Sequence, residues 1–290
     1  MYKRSFCVRV GTSFSAWHPI TSGVPQGSVV GPLLYLLYTT DLQFAISKGA
    51  SHRTYADDTK IFADVSSPDG RIALQTTLSN IETWATRWKL SISSSKSATL
   101  HILHDEPFAY VLFGDTIPEC EHVKDLGVLL TCDLSPSSHV RDALSRAGRT
   151  MNFVLRAFDC KVPSVYIRAY KTVVLPSLLY GSEIWRPWLK RDLKSLDRFQ
   201  SYFRKRVALK CGVDLDSIVL PPLSEILDSK DLKLANLLRR NPDFVDFFTT
   251  RATNTRSSLL FVTSVARRNV VHHSFRWRCS RMLNGSSNIL

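Results

Sequence analysis

The spacing of apolar residues changes near residue 138, and no single class of secondary structure accommodates both sides of the change. Before it, short alternating runs at 6–14 (FCVRVGTSF), 90–103 (LSISSSKSATLHIL), 111–118 (VLFGDTIP) and 122–130 (HVKDLGVLL) read as strands and hairpins. After it, Val140, Leu144, Ala147, Met151, Val154 and Phe158 recur every three or four residues, as do Leu189, Leu193, Leu196, Phe199, Phe203 and Val207. Those are helical faces. The chain therefore reads as α+β over residues 1–135, helical over 136–210, and weaker in signal over 211–290. With 290 residues and 44% hydrophobic content it has material for a sizeable core.

Two helices interrupt the strand-like first part. In SGVPQGSVVGPLLYLLYTTDLQFAI, Gly23, Pro25 and Gly27 exclude regular structure, after which Pro32 and LLYLLY predict a buried helix reaching about Ile46. The stretch HRTYADDTKIFADV (52–65) predicts a hairpin with Asp57 and Asp58 at its tip. Ser67, Pro68 and Asp69 then read as cap, first-turn proline and dipole-matched acid of a helix. Its stripe (Leu74, Leu78, Ile81, Ala85, Trp88) should lie on the sheet that carries the hairpin. Further on, a helix starts at Pro163 and is kinked or interrupted at Pro176, and LPPLSEILDSKDLKLANLLRR predicts one more. The last 40 residues indicate no fold, and the spacing of His272, His273 and Cys279 fits no standard metal site.

The net charge of +13 is unevenly placed. Residues 141–210 carry 16 Lys/Arg against 5 Asp/Glu, and residues 251–290 carry 7 against none, while the rest of the chain is slightly acidic. Two basic blocks beside an acid-tipped region suggest a polyanion along the C-terminal half, the alternative being a solvated surface. The six cysteines show no CxxC spacing, which excludes a zinc ribbon or a disulfide framework and suits a reducing compartment. The most apolar run, 29–38, is interrupted by Gly31 and Pro32 and is far short of a membrane span. A soluble intracellular protein is expected.

Adjacent acids such as Asp57 and Asp58 repel. In a turn they are either a solvated hairpin tip or a site for a divalent cation, and alone they do not decide between the two. Their context does: SGVPQGSVVGPLLYLLYTTDL, YADDTKIF about 30 residues on, WKLSISSSKS, KDLGVLL, and arginine-bearing helices ending in VLPSLLYGSEIW, in that order. This series resembles the reverse transcriptases of non-LTR (LINE-type) retrotransposons, over the second half of the palm and the thumb, roughly residues 1–210.

The resemblance implies a partial polymerase palm (1–135), an antiparallel sheet with packed helices, then an α-helical basic thumb (136–210) and a helical or irregular tail (211–290). It implies RNA-templated DNA synthesis, with Asp57 and Asp58 as catalytic ligands of two Mg²⁺ ions. Gly23, Pro25, Gln26, Gly27, Tyr55 and Lys96 would face nucleotide and template, and Leu126 and Gly127 would grip the primer. Arg141, Arg146, Arg149, Lys190, Arg191, Lys194, Arg198, Arg204, Lys205 and Arg206 would follow the nucleic-acid backbone. Implied partners are an RNA template, a DNA primer or RNA–DNA hybrid, and deoxynucleoside triphosphates, with no membrane and no evident protein partner. The nucleus is the implied place of action. Two departures matter. Ser93 stands where the family commonly has Asn, and the family's third acid, on a strand ahead of the SGVPQGS loop, has no counterpart, since residues 1–22 contain neither Asp nor Glu. The expectation is an incomplete C-terminal portion, a truncated copy or an incomplete gene model, inactive by itself. The alternative is a non-enzymatic nucleic-acid-binding protein on the same scaffold. An interaction protein with no nucleic-acid partner leaves the two basic blocks unexplained.

Overall fold

The computed structural model describes residues 4–24, 27–104, 108–248, 271 and 273–286. The chain separates into two units: Met1–Thr99 with His104–Glu119, and Leu100–Leu103 with Cys120–Leu290. The mixed α+β class holds, but among the described residues strands pair only two by two, in five antiparallel ladders, rather than forming one sheet. Runs of two to five residues provide few ladder bonds, so packing against helices must hold them.

In the first unit, β1 (Arg4–Phe6) pairs with β4 (His18–Ile20), and between them β2 (Arg9–Val10) pairs with β3 (Ser13–Phe14). Helix α1 (Gly31–Thr39) has Pro32 in its first turn, as expected, and continues as a 3-10 turn over Thr40–Ala45. The expected burial of α1 fails: Leu33, Leu36 and Leu37 are more than half exposed, and of its residues only Gly31 is buried. The core contacts come instead from the 3-10 turn, through Leu42 and Ala45. Strands β5 (Ser51–Tyr55) and β6 (Asp58–Phe62) form the expected hairpin. Helix α2 (Pro68–Trp88) is the organiser. Ile81 and Trp84 pack with Leu42, Ala45 and Ile61, while Leu74 and Leu78 pack on Tyr110, Leu112 and Ile117 around the hairpin β7 (Val111–Leu112) and β8 (Asp115–Thr116). The expected strand at 90–103 is absent. A 3-10 turn spans Ser94–Lys96, where Ser93 and Ser97 bond locally, and pairing reduces to a bridge between Thr99 and Glu119. Serine-rich alternation competes with a ladder by such local bonds.

The second unit opens with the hairpin β9 (His122–Asp125) and β10 (Val128–Thr131). Helices α3 (Ser137–Ala157) and α7 (Lys190–Cys211) follow their predicted stripes closely. Between them lie α4 (Pro163–Ala169), a π turn (Tyr170–Val174), α5 (Leu175–Leu178) and α6 (Ser182–Trp185). The irregularity expected at Pro176 falls in the preceding π turn, leaving the proline in the first turn of α5, where its missing N–H costs nothing. The core is deep: Tyr166, Tyr170, Val174, Leu178, Phe203 and Val207 are fully buried, and the Tyr170 and Phe203 rings stack with centroids 4.3 Å apart. Helix α8 (Leu223–Arg240) was expected. Helix α9 (Phe275–Ser286) falls in the tail that indicated no fold.

Candidate functional site

The β5–β6 register joins Tyr55 to Asp58 and leaves Ala56 and Asp57 as a two-residue turn. Ala56 has φ of 52°, a left-handed conformation that disfavours any residue with a Cβ. Alternation sends His52, Thr54, Thr59 and Ile61 to one face and Arg53, Tyr55, Asp58 and Lys60 to the other. Ile61 packs into the core, so the second face is the outward one. Asp57 and Asp58 are both exposed, and neither carboxylate has a hydrogen bond or ion pair among the described residues. Tyr35, from α1, completes the setting. Burial first, and then the Asp57 charge, push its phenol above the ordinary tyrosine value, so it stays protonated.

Two bare adjacent carboxylates suit one Mg²⁺ that keeps most of its water. Among the described residues no group of three or more His, Cys, Asp and Glu is placed to hold a metal, so a pair of ions braced by three acids is not provided. The nearest acid on either side of the pair in sequence is committed. Asp41 accepts the indole N–H groups of Trp84 and Trp88, each at 2.8 Å, and Asp64 accepts the Ser66 backbone N–H at 3.0 Å.

Other expected site residues are distributed as follows. Gly23 and Gly27 have φ of 81° and 75°, which requires glycine, and Arg4 donates to the Gly23 carbonyl at 2.7 Å. Pro25 and Gln26 lie outside the described residues. Lys96 is exposed at the end of its 3-10 turn, not on a strand. Leu126 and Gly127 form the β9–β10 turn, with φ of 45° and 87°. The Tyr180 hydroxyl donates to the Leu126 carbonyl at 3.1 Å, and a Cβ on Gly127 would meet the Tyr180 ring at 3.0 Å. At the other end of the hairpin, the Leu129 N–H donates to Nδ1 of buried His139 at 2.9 Å. Desolvation, then Arg146, pushes that imidazole down to about 4.

Along α7 the outward face carries Lys190, Arg191, Lys194, Arg198 and Lys205, all exposed, with half-exposed Tyr202 among them. Arg204 is different: it donates to the Ile218 and Leu215 carbonyls and ties the following loop to the helix. On α3, Arg146 pairs with Asp142 at 3.0 Å, while Arg141 and Arg149 reach only serine hydroxyls. Sequence reasoning missed Tyr35, Tyr180 and His139, whose roles depend on what the fold brings beside them. It also missed the tail's anchor. Asp231, 1% exposed, accepts from Arg186 at 2.9 Å and from Arg278 at 3.0 Å, and Arg278 also donates to the Glu183 carbonyl. Of the residues whose spacing fits no standard metal site, His273 stacks on Trp188 and the Cys279 thiol approaches the Asp231 carbonyl, while His272 lies outside the described residues. No helix among the described residues is long and apolar enough to cross a membrane.

Residues 2–130 match the family described as Reverse transcriptase (RNA-dependent DNA polymerase). The probable RNA-directed DNA polymerase from transposon X-element of Drosophila melanogaster is 30% identical over 207 residues, 68% of this chain and 23% of that protein. The RNA-directed DNA polymerase from mobile element jockey of Drosophila funebris is 30% identical over 222 residues, 71% and 24% respectively. The corresponding protein from transposon BS of D. melanogaster is 32% identical over 197 residues, 63% and 22%. The chain thus spans about a quarter of the length of the curated relatives it matches. No solved structure matches it. Over residues 2–130 the chain is therefore similar to the family described as Reverse transcriptase (RNA-dependent DNA polymerase).

Proposed function

We propose that this chain is a palm-and-thumb portion of a retrotransposon reverse transcriptase. The observation that carries the reading is the acid pair: Asp57, on the exposed, strained two-residue turn, and Asp58, the first residue of β6, stand bare with the Tyr35 phenol close to Asp57, inside the segment that matches the family. Asp57 and Asp58 are the residues that would hold Mg²⁺, which when bound would neutralise their repulsion and offset charge on a triphosphate. Tyr35, held protonated, presents a hydroxyl rather than a second anion beside that cation site. Gly23, Pro25, Gln26, Gly27, Tyr55 and Lys96 line the nucleotide and template, and Leu126 and Gly127, steadied by Tyr180, meet the primer end. The exposed cations of α3 and α7 follow the phosphates of template and primer or of their hybrid. A full-length element would act in the nucleus.

The chain alone should not polymerise, because two acids do not make a site that needs three. The test is primer extension on an RNA template with Mg²⁺ and deoxynucleotides. No incorporation is expected, and Mg²⁺-dependent incorporation that Asp57→Ala abolishes would overturn the inactive assignment. The second reading, a non-enzymatic nucleic-acid-binding protein on this scaffold, rests on the exposed cations of α7. It shares the binding expectation, and the extension signal would exclude it.

A further inference from the structure

Arg149, Asn152, Phe153 and Arg156 are three, four and seven residues apart on α3 and so share one exposed side of the helix. Helix α7 lies against α3, and an open cleft of about 480 Å³ is lined by Arg149, Asn152, Leu155, Arg156 and Arg206. It continues past Leu155, Arg156 and Arg206 to Leu209 and Lys210.

The cleft differs from a plain basic patch in three ways. Its charges are not neutralised: no carboxylate lines it, Arg156 and Arg206 have no ion pair among the described residues, and Arg149 reaches only the Ser145 hydroxyl at 3.1 Å. Lys210 is committed, its amino group donating to the Leu155 and Phe158 carbonyls at the end of α3, so it closes the cleft. Apolar surface sits near the cations: Phe153, 65% exposed, follows Asn152 on the same side of α3, and Leu209, 78% exposed, lines the cleft. Asn152 adds an amide, which both donates and accepts, as no guanidinium does.

Duplex phosphates ask for spaced cations alone, whereas an exposed aromatic ring and an amide beside three guanidiniums suit a nucleotide whose base is unstacked. We propose that the α3–α7 cleft holds a nucleotide of single-stranded nucleic acid. The arginines take its phosphates, Phe153 stacks on the base and Asn152 meets the base's polar edge. The proposal rests on the nucleic-acid reading of the helical unit and adds a preference to it: single strand in the cleft, duplex along the outward face of α7. RNA and DNA strands offer the same phosphate and base chemistry here.

The test is fluorescence anisotropy with the full chain and labelled oligo(rU), oligo(dT) and an RNA–DNA hybrid, each of about 12 nucleotides or base pairs. Phe153→Ala, a change at an exposed position, should weaken single-strand binding about tenfold and hybrid binding less than about twofold. Arg156→Ala with Arg206→Ala should flatten the salt dependence on single strands by roughly one to two released ions. Loss on oligo(rU) alone assigns the site to RNA and loss on oligo(dT) alone to DNA, and either supports it. Phe153→Ala leaving single-strand affinity unchanged, or lowering hybrid and single strand alike, overturns the cleft assignment only. If the unaltered chain binds none of the three probes, the cleft and the nucleic-acid reading both fall.

Discussion

Both carboxylate oxygens of Asp41 are taken up by tryptophan N–H groups, while Asp57 and Asp58, on the same unit, have no hydrogen-bond or ion-pair partner among the described residues. The Trp84 bond above all holds the Asp41 carboxyl below the usual aspartate range, which assigns it to structure. Asp41→Ala should lower the thermal midpoint of the protein because two indole donors lose their acceptor, whereas Asp57→Ala should leave it nearly unchanged. His139 gives a pH prediction with a definite sign. Its folded value, about 4, lies below the ordinary 6.5, so the neutral ring contributes stability above about pH 6.5 that is lost as pH falls towards 4. Urea unfolding at pH 7 and pH 4.5 should differ by about 2 kcal/mol from this group. His139→Gln should shrink that difference. The acid pair was legible because four consecutive residues and their neighbours carry the signal. Tyr35 and His139 were not, because a phenol beside a carboxylate or an imidazole under a hairpin is a product of tertiary packing.

The long helices were the readable parts. The stripes of α2, α3 and α7 predicted their extents because burial of one face fixes the period. Segments whose structure depends on local competition were misread: 90–103 has strand alternation, yet its serines satisfy themselves in a turn. The LLYLLY helix looked like core, but hydrophobicity alone does not say what covers a face. Helix α2 depends on one position. A Cβ on Gly70 would sit 1.8 Å from the Asp64 carbonyl oxygen, so the chain leaving β6 can cross the helix only at glycine. Gly70→Ala should cost about 2 kcal/mol or more, seen as a lower denaturation midpoint. Helix α9 depends on a charge instead. Arg278→Ala should destabilise the helical unit by about 2 kcal/mol, less than for a fully orphaned charge because Arg186 still pairs with Asp231, and should speed proteolysis of the tail.

Taken over the whole chain, charge separates the two chemistries. The acid-tipped unit is close to neutral, while residues 141–210 hold 16 of the 38 Lys/Arg. The α7 cations Lys190, Arg191, Lys194, Arg198 and Lys205 stand exposed, and the core of the same helix stays apolar. That arrangement is costly unless a polyanion is at hand, and replacing Lys194, Arg198 and Lys205 together by alanine should reduce the salt slope of binding by roughly two to three ions. The most direct check of the reverse-transcriptase reading of this chain is the equilibrium binding of an RNA–DNA hybrid by the unaltered protein across a salt series. The logarithm of the binding constant should fall linearly with that of the salt concentration, with a slope of roughly four to six. A slope near zero, or no binding at low salt, would contradict it.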